Sequence, residues 1–291
     1  MSERANESST QRAPTVPVFV GVAELEKWLL DSPEQIRLLE IRHDQKGTGG
    51  DDGSAGHLPG AVIVDLATEL SRTDAAPTDG RRPLPHPADL QRSARRWGLR
   101  KDSTVVVYDT RSGLSAARAW WVLRWAGLSR VSILEGGMQA WTTAGHPLST
   151  DEPDVAPGDV ELGSGGMAEL DADAAAALAA RGLLVDARDA AAYRDGHIPG
   201  ARNAPSQGVL SADGTLGDRD EVRAHYGVTT ADASVPGLSC GGGVAGAFAV
   251  AALAHTGVTA PLYVGSFSAW SADPERSVAT GAEPGTTEES L

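Results

Sequence analysis

Arg194-Asp195-Gly196-His197-Ile198-Pro199-Gly200-Ala201 restates Ser54-Ala55-Gly56-His57-Leu58-Pro59-Gly60-Ala61 after 140 residues. Three further matches lie in the same order. Leu38-Leu39-Glu40-Ile41-Arg42 returns as Leu184-Val185-Asp186-Ala187-Arg188 at offset 146. Val106-Val107-Tyr108-Asp109 returns as Gly237-Leu238-Ser239-Cys240 at offset 131, and Gly136 to Trp141 as Gly265 to Trp270 at offset 129. Ordered matches at falling offsets are the trace of a duplication whose second copy has the shorter loops.

Each copy alternates short apolar runs with helical stretches. The runs are Ile36–Ile41, Thr104–Tyr108 and Val131–Leu134 in the first copy, and Leu183–Asp186, Ser234–Ser239 and Pro261–Val264 in the second. Helices are expected near Ala88–Trp97 and Leu114–Ala126, and near Asp220–Tyr226 and Val244–His255. Buried runs separated by helices predict an α/β fold, with parallel sheets covered by helices on both faces. The boundaries that follow are a leader at 1–17, a first domain at 18–150, a linker at 151–166, a second domain at 167–284 and a tail at 285–291. Two prolines and four glycines mark the linker, and such residues punctuate structure.

Composition narrows the chemistry. The formal charge of −14 resides in the second half: residues 1–150 hold 18 Lys+Arg and 18 Asp+Glu, while residues 151–291 hold 7 arginines and 21 acids. Such a surface repels phosphate backbones and anionic headgroups, so neither nucleic acid nor membrane is an expected partner. The polar start of the chain lacks the apolar stretch of a secretory signal, and a cytoplasmic location is expected. One cysteine allows no internal disulfide and excludes zinc sites built on cysteine pairs; no metal or cofactor is expected.

That cysteine stands in Leu238-Ser239-Cys240-Gly241-Gly242-Gly243-Val244-Ala245-Gly246, where a strand should feed a helix. Ligands of open parallel sheets bind beyond the carboxyl ends of strands, where loop amides and a helix N-terminus favour negative charge. Glycines let the backbone come close to a bound atom. A thiol there is favoured as the thiolate, which is the nucleophile. A buried cysteine packed as a small hydrophobe is the alternative, but packing does not require three successive glycines. The phosphatase pattern Cys-x5-Arg fails because residue 246 is glycine. The repeated histidines His57 and His197 read as turn residues bonded to backbone.

From about Phe19 to Gly281 the chain resembles the tandem-domain rhodaneses, the thiosulfate and 3-mercaptopyruvate sulfurtransferases. The resemblance rests on the two Gly-His-Leu/Ile-Pro-Gly-Ala segments, Asp186-Ala187-Arg188, Val106–Asp109, Ala119-Trp120-Trp121, Glu135–Trp141, Cys240-Gly241-Gly242-Gly243-Val244 and Gly265–Trp270. It implies two tandem rhodanese-like domains. It also implies a Cys240 persulfide that takes sulfane sulfur from a small anionic donor and passes it to a thiol, cyanide or sulfur-carrier protein. Asp109 occupies the cysteine position of the first copy, which is therefore expected to be non-catalytic. The loop residues Gly241, Gly242, Gly243, Val244 and Ala245, with Arg188 and Arg194, are the expected substrate-binding set.

Two departures qualify that set. The family motif Asp-x-Arg-x-x-x-Arg grips the donor's charged end with two arginines, and Ala192 replaces the second; Arg81, Arg82 or Arg111 of the first half are possible substitutes. Family members with Gly-Ser-Gly or Gly-Thr-Gly after the cysteine favour mercaptopyruvate, and Gly241-Gly242-Gly243 resembles that pattern without its hydroxyl. Pro236-Gly237 also interrupts the expected strand before Cys240, since both residues are disfavoured in central strands. The alternative to an enzyme is a degenerate module that binds a partner or senses redox state through Cys240.

Overall fold

The computed structural model describes residues 16–43, 56–110, 113–228 and 234–285. Most of the expected leader and tail, and Ser54, Ala55, Arg111 and Ser112, lie outside the described residues.

The first copy runs β1 (Phe19–Val20), α1 (Val22–Asp31), β2 (Ile36–Arg42), β3 (Val62–Asp65), α2 (Leu66–Glu69), α3 (Pro87–Arg96), β4 (Thr104–Tyr108), α4 (Leu114–Trp125), β5 (Val131–Leu134) and α5 (Gly137–Thr143). The second runs β6 (Glu169–Leu170), α6 (Ala172–Ala179), β7 (Leu184–Asp186), α7 (Ala190–Asp195), β8 (Arg202–Asn203), α8 (Arg219–His225), β9 (Gly237–Ser239), α9 (Ala245–His255), β10 (Leu262–Tyr263) and α10 (Ser266–Trp270). Both sheets are parallel throughout, ordered β1-β5-β4-β2-β3 and β6-β10-β9-β7-β8. Position for position these are one topology, as the repeat predicts.

Strand alternation decides which side chains face which layer. In β4, Val105 and Val107 point to one core and Val106 and Tyr108 to another. The outer layer of the first domain packs α1 and α5 residues such as Leu25, Met138 and Trp141 on the sheet. In the second domain Ala175, Ala179 and Trp270 of α6 and α10 do the same. The inner layers merge. Residues of β2, β4, α3 and α4 share one apolar core with residues of β7, β9, α8 and α9. Helix α4 is buried almost all round, and α9 likewise. A helix apolar on every side needs cover on every side; here each covers the other. Phe19 meets Phe248 edge-on across that seam, with ring centroids 6.2 Å apart.

The repeated turns close each domain. His57 exchanges backbone hydrogen bonds with Ser149, and His197 with Ala279, so each Gly-His turn ties the start of a domain to its end. The ring nitrogens bond backbone as well: Nδ1 lies 2.9 Å from the Leu58 carbonyl in one copy and 3.0 Å from that of Tyr193 in the other. Gly56 has φ +87°, and a Cβ there would lie 2.6 Å from the Ser149 carbonyl oxygen.

Residues 151–166 do not hang free. The segment docks along the first domain through Gly158 N–H to Arg95, Val160 N–H to Leu99 and Gly166 N–H to Trp125.

Pro236 and Gly237 do not prevent a central strand. Pro236 precedes β9, where its missing donor breaks no rung, and Gly237 donates to Leu183 at 2.9 Å. A Cβ at Gly237 would lie 2.6 Å from Leu178 Cδ1 and 2.7 Å from Leu170 Cδ1. Close packing from α6 and β6, not weak pairing, accounts for this glycine.

Candidate active site

Cys240 follows β9 immediately and is 2% exposed. The Gly243 N–H donates to its Sγ at 3.1 Å, and Ser266 Oγ lies 3.8 Å from the sulfur. Ser266 Oγ is a hub. It accepts from Cys240 N at 3.2 Å and Gly243 N at 3.1 Å, and donates to the Tyr263 carbonyl at 2.9 Å. To reach that position Ser266 takes φ +53°, a left-handed conformation found at no other non-glycine among the described residues; such outliers cluster at functional sites. Phe267 N–H bonds the Cys240 carbonyl and Ser268 N–H bonds that of Gly241, at 2.9 and 3.2 Å. The thiol thus meets polar groups on one side, with one amide aimed at sulfur, while Cys240 also packs in the shared apolar core.

Above the loop opens a cleft of about 780 Å³ between the domains. Gly241 and Ala245 line its floor, Arg188, Ala192 and Phe267 one side, and Arg81 and Leu114 of the first domain another. Gly243 turns the chain with φ +77°, and Val244 caps the start of α9. Gly242 lies against the first domain, since a Cβ there would sit 3.1 Å from Arg81 Cβ. The Arg81 backbone N–H is held by Ser268 Oγ at 2.8 Å. The cleft wall therefore leaves little room for a hydroxyl-bearing side chain at position 242.

Arg188 reaches the cleft but is heavily committed. Its Nε and Nη2 grip Asp186, with Nη2–Oδ2 at 2.6 Å. Its other donations go to the carbonyls of Ala192 at 3.1 Å and Gly196 at 2.7 Å, and its guanidinium lies 4.3 Å from the Phe267 ring centroid. Arg194 is exposed and does not line the cleft. On α7 it follows Ala192, which does, by two residues, and two residues turn a helix by about 200°.

Three groups emerged only with the fold. Ser266 and Ser268 lie inside the Gly265–Trp270 repeat, yet nothing in that motif ties them to the cysteine loop. Arg118, in α4, approaches the same loop from the first domain: its Nη1 is 3.5 Å from the Gly243 carbonyl oxygen, and its Nη2 donates to the Arg82 carbonyl at 2.7 Å.

The first copy repeats the loop with a different occupant. The Asp109 carboxylate is buried and accepts N–H bonds from Gly113 at 3.0 Å, Ser115 at 2.8 Å and Ala116 at 3.1 Å. Met138 N–H bonds the Asp109 carbonyl as Phe267 N–H bonds that of Cys240.

The family model of the rhodanese-like domain matches residues 22–144 and again 171–273. The chain belongs to the rhodanese family, in tandem form. SseB of Mycobacterium tuberculosis, named as a thiosulfate sulfurtransferase, is 39% identical over 282 residues, covering 91% of this chain and 97% of that protein. The 3-mercaptopyruvate sulfurtransferase of Escherichia coli is 32% identical over 287 residues, covering 87% and 95%. The crystal structure of SseA from Escherichia coli, described as a 3-mercaptopyruvate sulfotransferase of the rhodanese fold, aligns with a TM-score of 0.75 at 29% identity, over 87% of this chain and 99% of that one.

Among the described residues no helix is long and apolar enough to cross a membrane, and no group of three or more His, Cys, Asp or Glu is placed to hold a metal ion.

Proposed function

We propose that this protein is a sulfurtransferase that carries sulfane sulfur as a Cys240 persulfide. The thiolate attacks the donor's sulfane sulfur. The bond from that sulfur to the rest of the donor breaks, and its electron pair leaves with sulfite, or with the enolate that takes a proton to become pyruvate. An acceptor nucleophile then attacks the terminal sulfur, the S–S bond breaks, and the Cys240 thiolate returns. The acceptor is a thiol, cyanide or a sulfur-carrier protein.

The observation that carries this reading is the Asp109 loop. A carboxylate puts an oxygen one bond beyond Cγ, as a persulfide puts a sulfur one bond beyond Sγ. Asp109 thereby mimics the charged intermediate, and its oxygens take three loop amides. By register the equivalent amides of the second copy are Gly243, Ala245 and Gly246, and the Gly243 N–H already donates to Cys240 Sγ, which supports the reading. The names of the relatives support the same chemistry.

Arg81 is the cleft cation best placed to meet the donor's anionic end. It lines the cleft opposite Arg188, and no hydrogen bond or ion pair of its guanidinium occurs among the described residues. The glycine loop sides with 3-mercaptopyruvate as donor. Incubation with each donor, followed by intact mass, tests the proposal. One added sulfur on the wild type and none on Cys240→Ser is expected. No adduct with either donor would favour a binding module instead.

A further inference from the structure

Helix α4 sends a cation across the domain seam. Arg118 has no exposed surface, and its hydrogen-bond partners among the described residues are carbonyl oxygens, those of Gly243 and Arg82. Its Nε is buried with no partner, and no carboxylate bonds it among the described residues. A buried charge is normally matched by an opposite one, because leaving it unmatched is strongly unfavourable. Burial pulls the Arg118 pKa down to about 10, while charge on Cys240 favours the cation. Of the other charged groups around it, Arg82 opposes the cation and Glu169 on β6 supports it; Arg81, Arg188, Asp189 and Asp195 line the cleft with Gly241, Arg188 being paired with Asp186. Gly243 makes the approach possible, since a Cβ there would lie 3.0 Å from Arg118 Nη1.

We propose that Arg118 is the resident counter-cation of the Cys240 thiolate and persulfide, a positioning residue supplied by the half that has no nucleophile. It acts in two ways. Its charge lies beside the sulfur's loop, and its Nη1 faces the carbonyl of Gly243, the residue whose own N–H is aimed at Sγ. The inference rests on Cys240 as the reactive group but not on which donor it meets.

Cys240 is the chain's single cysteine, so alkylation by iodoacetamide reads one site. At about pH 7, Arg118→Met should lower the alkylation rate by about tenfold, and by less than about threefold at about pH 9.5, where a free thiol is mostly ionised. Arg118→Lys, which keeps the charge, should restore most of the rate. A folded Arg118→Met variant alkylated at the wild-type rate, or slowed equally at both pH values, overturns the inference. If Arg118→Met does not fold, the comparison of Cys240→Asp with Cys240→Asn decides: with Arg118 awaiting an anion the Asp variant melts higher, and an Asn variant melting at or above it overturns the inference. Failure of the wild type to gain sulfur from any donor would remove the proposed function and leave these outcomes intact.

Discussion

Asp109 and Cys240 follow equivalent strands immediately, and their side chains receive the same kind of loop. Where the side chain carries its own anion, three loop amides bond it; where it ends in a thiol, the Gly243 amide does. Arg81 is the residue at which donor binding should show. Arg81→Ala is expected to raise KM for thiosulfate or 3-mercaptopyruvate by ~3–10-fold with kcat little changed, as for a solvent-accessible charge contact. Ala192→Arg should lower KM, by restoring a cation to the cleft wall. Steady-state kinetics with both donors checks the pair. An unchanged KM in Arg81→Ala would place the donor's charge elsewhere. Ser266→Ala leaves the Cys240 amide without its acceptor and the Gly243 amide with the Cys240 sulfur alone. A loss of ~1–3 kcal/mol in denaturant unfolding is expected for a buried donor left unpaired.

At the scale of elements, β9 is three residues long and yet positions Cys240. Its central place, between β10 and β7, fixes the direction in which the chain leaves Ser239. Gly237→Ala would press a methyl group on Leu170 and Leu178, and overpacking of this kind costs ~1–3 kcal/mol. A lower urea midpoint with unchanged slope is the expected result; no change would mean that α6 yields easily. The elements with strong apolar patterns were legible in the sequence. Thr104–Tyr108 and Val131–Leu134 are the strands β4 and β5, and the expected helices begin or end within a residue or two of α3, α4, α8 and α9. The edge strands β1, β3, β6 and β8 were not legible. Two to four residues have little periodicity to read, and they pair because a finished neighbour offers its edge.

Across the whole molecule the two domains share one core, so their stabilities are joined. Each half alone would expose the inner face of α4 or α9, and separately expressed halves should aggregate where co-expressed halves co-purify; soluble separate halves would refute a shared core. Alkaline pH offers a second test. All four tyrosines, Tyr108, Tyr193, Tyr226 and Tyr263, are buried enough to have raised pKa values, that of Tyr193 reaching about 12. A raised tyrosine pKa contributes stability that is intact below the ordinary value of 10.0 and fades above it, because the unfolded chain ionises first. Arg118, lowered to about 10, works in the opposite sense above that pH. Tyrosinate absorbance should therefore appear together with loss of circular dichroism, between about pH 10 and 12. Gradual ionisation of the intact fold would contradict the burial of these rings.

The amino-acid sequence by itself determined the duplication, the parallel α/β class, the single cysteine in its glycine loop and its replacement by Asp109 in the first copy. Those features are local patterns, written in periodicity, in glycine placement and in the order of repeats. Tertiary structure alone decided the rest of the site. Arg194 and Ala192 are neighbours in sequence, but helix rotation puts only Ala192 in the cleft. Arg118, Arg81 and Ser266 are 122, 159 and 26 residues from Cys240 in the chain. No spacing rule links them to it, and they reach its loop because two folded layers close on one another.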